Sequence, residues 1–226
     1  MDPLILLLMF GFPFISKMVA GQLRKRFVQH SQAPMPMSGA EIAVRMLQEN
    51  NIHDVKVIPT KGELTDHYNP VDKTVALSEV VYGQRNVAAC AVAAHEVGHA
   101  VQHATGYPML TMRSKMVPLL KLSNYAMPLL GIGGAGLFAS QGANTLAYGM
   151  LGILALPALF SMVTLPVEFN ASRRALNWME DTGIAAGDNH AGAKNALWWA
   201  AMTYVIAALG SVAQVAYYAK FFLRRR

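Results

Sequence analysis

From Leu122 to Val167 the chain carries no aspartate, glutamate, lysine or arginine. In lipid, backbone polar groups are satisfied only in helices or closed barrels, and about 20 residues of helix cross a bilayer. The run is long enough for two spans, joined at Gln141-Gly142-Ala143-Asn144. A second uncharged run from Asn195 to Ala219 is long enough for another. Pro3 to Ser16 is shorter and holds Pro13, yet with Lys17 snorkelling it makes a fourth. Met1-Asp2-Pro3 lacks a basic n-region, so this stretch is expected to be a retained anchor rather than a signal peptide. Only 14% of all residues are charged, against about 25% in an average soluble domain, which agrees with an integral membrane protein.

The net charge of +6 raises the question of nucleic acid, and its distribution argues against that partner. Arg24-Lys25-Arg26, Arg113 with Lys115, Arg173-Arg174 and Arg224-Arg225-Arg226 all flank apolar segments, where cations set topology and meet lipid headgroups. Basic residues follow the first span, precede the second and follow the third, which puts the region after the first span on the cytoplasmic side. The C-terminal arginines are the exception, since a last span starting in the cytoplasm would leave them outside. The single cysteine, Cys90, lies in a run of small residues and is expected to be packed filler.

Four parts follow: an anchor over 1–26, a small α+β unit over 27–112, a two-span hairpin over 113–167, and a segment over 168–226 ending in a membrane helix. The expected fold class is mainly α, with multi-span membrane helices and the α+β unit packed against them. Within that unit, Gln32 to Met37 reads as a linker and Ser38-Gly39-Ala40-Glu41 as a capping box opening a helix that turns Ile42, Met46 and Leu47 inward. Val55 to Ile58 and Thr74 to Leu77 read as short strands, with a loop over Pro59 to Pro70 between them. Helix resumes near Gln84 and stops at Gly106-Tyr107-Pro108.

That helix carries His95-Glu96-Val97-Gly98-His99. Residues four apart share a helical face, so His95 and His99 can both present a ring nitrogen to one ion, as in the H-E-x-x-H site of a zinc hydrolase. Glu96 is rotated about 100° away and can reach a water at the metal without ligating it, the position of a general base. The apolar run Val87 to Ala94 marks a buried helix, and Gly98 leaves space on the side facing metal or substrate. A catalytic zinc needs a third protein ligand. His103 lies on the same face, but a third ligand so close on one straight helix strains tetrahedral geometry; an outer contact and a plain surface position are both open to it. Glu168 is the better ligand, because a carboxylate ending an uncharged span is costly without a partner. Pairing with Arg173 or Arg174 is the bland alternative, and Glu180 and Asp181 read as solvated surface.

An oxyanion donor is also needed, and His67 and Tyr204 are the candidates. An exposed loop histidine and a core or interfacial tyrosine are the competing readings. Thr74 to Leu77 reads either as an edge strand that pairs with extended peptide or as an ordinary core strand.

Three segments together resemble a known family: Thr65 to Pro70, Ala93 to His103, and Pro166-Val167-Glu168-Phe169-Asn170-Ala171-Ser172-Arg173-Arg174-Ala175-Leu176. They are similar to the neutral zinc metallopeptidases of bacterial membranes, the YugP-like proteins, and more broadly to the HtpX-like membrane gluzincins. The resemblance covers most of the chain. It implies a zincin-like α+β unit, Zn2+ as cofactor, His95, His99 and Glu168 as ligands, and Glu96 as base. Asn69 and Asn170 stand where the family usually has aspartate; an asparagine carbonyl still accepts a hydrogen bond but adds no charge.

The expected function is therefore that of an integral membrane zinc metalloendopeptidase in the bacterial cell membrane, its site near the cytoplasmic face. Its substrates are peptide or protein, with membrane proteins or unfolded segments expected by family analogy. The alternative is a non-catalytic membrane adaptor with a structural zinc site. Glu96 separates the two, because a structural site has no use for a base and normally closes with four protein ligands.

Overall fold

The computed structural model describes residues 3–137 and 143–223, without the side chains of 126–137, 143–147 and 221–223. The chain is mainly helical with one small sheet. A short helix α1 (Pro3–Leu6) passes through a π-helical turn (Leu7–Gly11) into α2 (Phe12–His30). Helix continues through Pro13, which follows directly on the π-helical turn. α3 (Gly39–Glu49) begins at the capping box: Glu41 N–H donates to Ser38 Oγ at 3.3 Å, and Ser38 N–H to Glu41 Oε2 at 2.7 Å. Its Ile42, Ala43, Met46 and Leu47 recur on one face and are buried.

The sheet comprises β1 (Lys56–Thr60), β2 (His67–Asn69) and β3 (Thr74–Ser78) in the order β1-β3-β2. β3 pairs parallel with β1, Val75 opposite Val57, and antiparallel with β2, Val75 opposite Tyr68. β3 is thus the central strand, with Val75, Ala76 and Leu77 buried, and the edge-strand reading of Thr74 to Leu77 is replaced by the core one. The expected loop also gives up both its ends. Pro59 belongs to β1, which tolerates a proline because it is an edge strand. His67 to Asn69 form β2, after which Asn69 Oδ1 accepts from Val71 N–H at 2.9 Å and its amide donates to Asp72 at 2.7 Å, closing a side-chain-capped turn. Asp66 accepts from Ser78 N–H at 2.7 Å and from its hydroxyl at 3.0 Å, fastening the start of β2 to the end of β3.

After the short helix α4 (Glu79–Tyr82), α5 (Val87–Ala104) starts at Asn86, whose side chain accepts from Ala89 N–H at 2.9 Å. It ends in a Schellman motif: Gly106 takes φ +61°, Gly106 N–H donates to His103 O at 3.1 Å, and Tyr107 N–H to Gln102 O at 2.8 Å. Ala88, Ala89, Ala91, Ala93 and Ala94 of α5 are fully buried, and α3 packs beside that helix. Three long helices complete the chain: α6 (Pro108–Leu137), α7 (Ala143–Asp181) and α8 (Gly187–Leu223).

The residues group into two compact units. One holds Val19–Leu110 and Pro166–Met202. Its core joins Ile42, Met46, Val75, Leu77, Val87 and Val97 to Ala175, Met179 and Leu197, and Trp178 Nε1 donates to Glu49 at 2.7 Å. The other holds the remaining described residues. In it Arg113 lies 6.0 Å from the Phe160 ring centroid, and the Ser211 hydroxyl donates back to Ala207 O at 2.7 Å.

Among the described residues three helical stretches are long and apolar enough to cross a membrane: Pro3–His30, Tyr148–Asp181 and Gly187–Lys220. They correspond to the first, third and fourth expected spans, each longer than its uncharged run because helix continues into the flanking polar residues. The expected second span, from Leu122 towards Ser140, falls mostly outside the described side chains.

Candidate metal centre

α5 and α7 bring three side chains together in the unit that contains the sheet. His95 Nε2 lies 3.3 Å and His99 Nε2 3.6 Å from Glu168 Oε2, and one ligand atom from each of the three lies within 4.8 Å of the others. Two donors held about 2.0–2.1 Å from one tetrahedral zinc are roughly 3.3–3.4 Å apart, so these spacings fit a single ion, as does the donor set of two imidazoles and a carboxylate. The two rings stand edge to face at 82°, with centroids 4.8 Å apart. Glu168 is 2% exposed, and it faces the histidines rather than taking the arginine-paired surface position.

The close approach of the two helices depends on Gly98. A Cβ there would meet the backbone of Ala171, with the carbonyl oxygen at 2.6 Å and Cα at 3.1 Å. This corrects the expectation that Gly98 opens room for metal or substrate: the space is filled by the backbone of α7, three residues beyond Glu168. Gly98→Ala should therefore push α7 away and lower stability by about 1–3 kcal/mol, the usual effect of overpacking. A thermal unfolding midpoint equal to that of the unsubstituted protein would refute this dependence.

The ring nitrogens that face away from Glu168 are also engaged. His95 Nδ1 lies 3.1 Å from the Ser172 hydroxyl, and His99 Nδ1 lies 3.0 Å from Gln102 Oε1. Both partners were missed in the sequence, where a serine and a glutamine on helices carry no distinguishing signal. The periodicity alone could have suggested Gln102, three residues from His99 and therefore beside it on α5. Burial pushes the His99 pKa down, but the hydrogen bond and charge of Glu168, then the Glu96 charge and the Gln102 contact, outweigh it and hold the imidazole above its ordinary value.

The other predicted residues are placed as follows. Glu96 is buried on α5, close enough to His99 for its charge to act there. His67 is exposed at the start of β2, its Nδ1 2.8 Å from Thr65 O. His103 is exposed and accepts or donates at 2.7 Å with the Tyr68 hydroxyl, so it contacts neither of the two cluster histidines through that nitrogen. Tyr204 lies on α8 in the other unit. Asn69 serves its turn, and Asn170 touches Gln102 rather than a cluster histidine, its Oδ1 accepting from Gln102 Nε2 at 3.0 Å.

The chain is 38% identical over 207 residues to the "Putative membrane protease YugP" of Bacillus subtilis (strain 168), a match covering 91% of this chain and 90% of that protein. No solved structure matches it. The model of the family described as "Putative neutral zinc metallopeptidase" matches residues 4–223, nearly the whole length, and the chain belongs to that family.

Proposed function

We propose that this chain is an integral membrane zinc endopeptidase of the gluzincin type, with His95, His99 and Glu168 as metal ligands and Glu96 as general base. The convergence of both Nε2 atoms on the Glu168 carboxylate carries the reading. Zinc, when bound, supplies a Lewis acid for the scissile carbonyl and lowers the pKa of water. The protein groups do the rest. Ser172 and Gln102 hold the rings so that Nε2 faces the ion, and Glu96 takes the proton of the attacking water and delivers it to the leaving amine. The cluster offers three ligands among the described residues, the number typical of a catalytic site, whereas structural zinc sites close with four. That count favours the enzyme over the adaptor. His67 remains the proposed oxyanion donor, and membrane proteins or unfolded segments the proposed substrates.

The test is zinc analysis of the purified protein together with its cleavage of an unfolded protein substrate. One equivalent of zinc, with cleavage abolished by a chelator and restored by zinc, is the expected outcome. Protein that binds zinc stoichiometrically but cleaves nothing would favour the adaptor.

The zincin-like unit is proposed to face the cytoplasm, on the strength of the basic residues beside the first three spans. Cys90 makes the test simple, because burial pushes its thiol up to about 12 and the group donates to Met37 O at 3.2 Å, leaving it inert to thiol reagents at neutral pH. Val71 is 87% exposed. A Val71→Cys protein should resist an impermeant maleimide in intact cells and react after the membrane is opened, with no background from Cys90. Labelling in intact cells would place the unit outside.

A further inference from the structure

The contacts behind His99 continue through three more residues. Gln102 is fully buried, and its Nε2 donates to Val167 O at 2.8 Å and to Asn170 Oδ1 at 3.0 Å. A backbone carbonyl can only accept, so the Val167 contact fixes which end of the Gln102 amide is nitrogen. The opposite end, Oε1, then faces His99 Nδ1 and can only accept from it. The proton on His99 is thereby assigned to Nδ1, and Nε2 is left to face Glu168 as the metal-binding atom. Asn170 is held in its turn, because its Oδ1 also accepts from Arg174 Nε at 2.8 Å.

We infer that Gln102, Asn170 and Arg174 form a positioning relay that fixes the ring and protonation site of His99, with Asn170 as the joint between the two helices. The inference rests on the zinc-site reading, yet it concerns residues that touch neither metal nor substrate. Its logic is one of direction. The Gln102 nitrogen meets two acceptor oxygens and the Asn170 oxygen meets two donors, so neither amide can flip without setting like groups against each other. Val167, Glu168, Asn170 and Arg174 all lie on α7, so the relay also ties His99 to the helix that supplies the third ligand. The joint needs an acceptor at position 170 and has no need of a donor there, so an aspartate should serve as well as the asparagine and a leucine should not.

The test uses the full-length protein in detergent micelles, with zinc affinity measured by competition against a chromophoric chelator. Asn170→Leu should weaken zinc about tenfold or more, the range seen when outer contacts of metal ligands are removed, and Asn170→Asp should stay within about threefold of the unsubstituted protein. A second readout is independent of the metal. In 15N-histidine-labelled, zinc-free protein the His99 Nδ1–H should exchange slowly with water, and should exchange rapidly in Asn170→Leu but not in Asn170→Asp. Thermal unfolding of each variant separates loss of the relay from loss of the fold. Equal zinc affinity and equal Nδ1–H exchange in folded Asn170→Leu would overturn the inference. Absence of zinc binding by the unsubstituted protein would instead overturn the zinc-site reading, and the exchange measurement would still decide the relay.

Discussion

Glu96→Gln is expected to keep bound zinc while lowering peptide hydrolysis by at least about 100-fold, the contribution typical of a general base. Glu96 follows the first cluster histidine on α5, so it is rotated off the ligand face, and metal retention should not depend on it. The amide keeps the shape and the buried position of the carboxylate but cannot take a proton. Its loss also removes a charge that raises the His99 pKa, so zinc affinity should hold or rise slightly at mildly acid pH. Full activity in the purified variant would sink the proposed mechanism.

Glu168→Ala is expected to strip the metal. The carboxylate is the third corner of the cluster, facing both Nε2 atoms, and removing it leaves the two histidines without that third donor. The loss of zinc affinity should exceed the roughly 10–100-fold produced by changing outer contacts. Glu168→Asp should be intermediate, because its arm is one methylene shorter and retracts the oxygen from nitrogens now 3.3 and 3.6 Å away. Metal analysis after dialysis reads the series directly, and equal zinc content in the alanine variant would reassign the third ligand.

The three-residue cluster was legible in the sequence for two different physical reasons. His95 and His99 were found because a four-residue spacing on a helix is a local geometric fact. Glu168 was found because an isolated carboxylate ending a long uncharged run needs a partner whatever the fold. Gln102 could have been placed by its three-residue spacing from His99, whereas Ser172 had no such signal: what makes it notable is the residue of another element that it meets, and that is decided by tertiary packing. Gly98 was noticed for the space it leaves, but that space was attributed to metal or substrate, since a sequence cannot say which neighbour fills it. The sheet shows the same limit. Two of its strands were visible as alternating runs, while β2 has only three residues, and the central place of β3 follows from the crossover rather than from its own residues. The three described spans were legible from hydropathy, though helix extends well past the uncharged stretches.

Because Glu168 sits within Tyr148–Asp181, a segment apolar enough to span a membrane, the order of synthesis decides when the cluster can close. Ser172, which contacts His95, is made 77 residues after it. At translation rates of roughly 5–20 residues per second, α5 emerges about 4–15 s before the helix that completes the site. During that interval the nascent chain has the histidine pair but not the carboxylate that completes the cluster. The cluster is therefore completed only by a segment that is itself long and apolar enough to span a membrane.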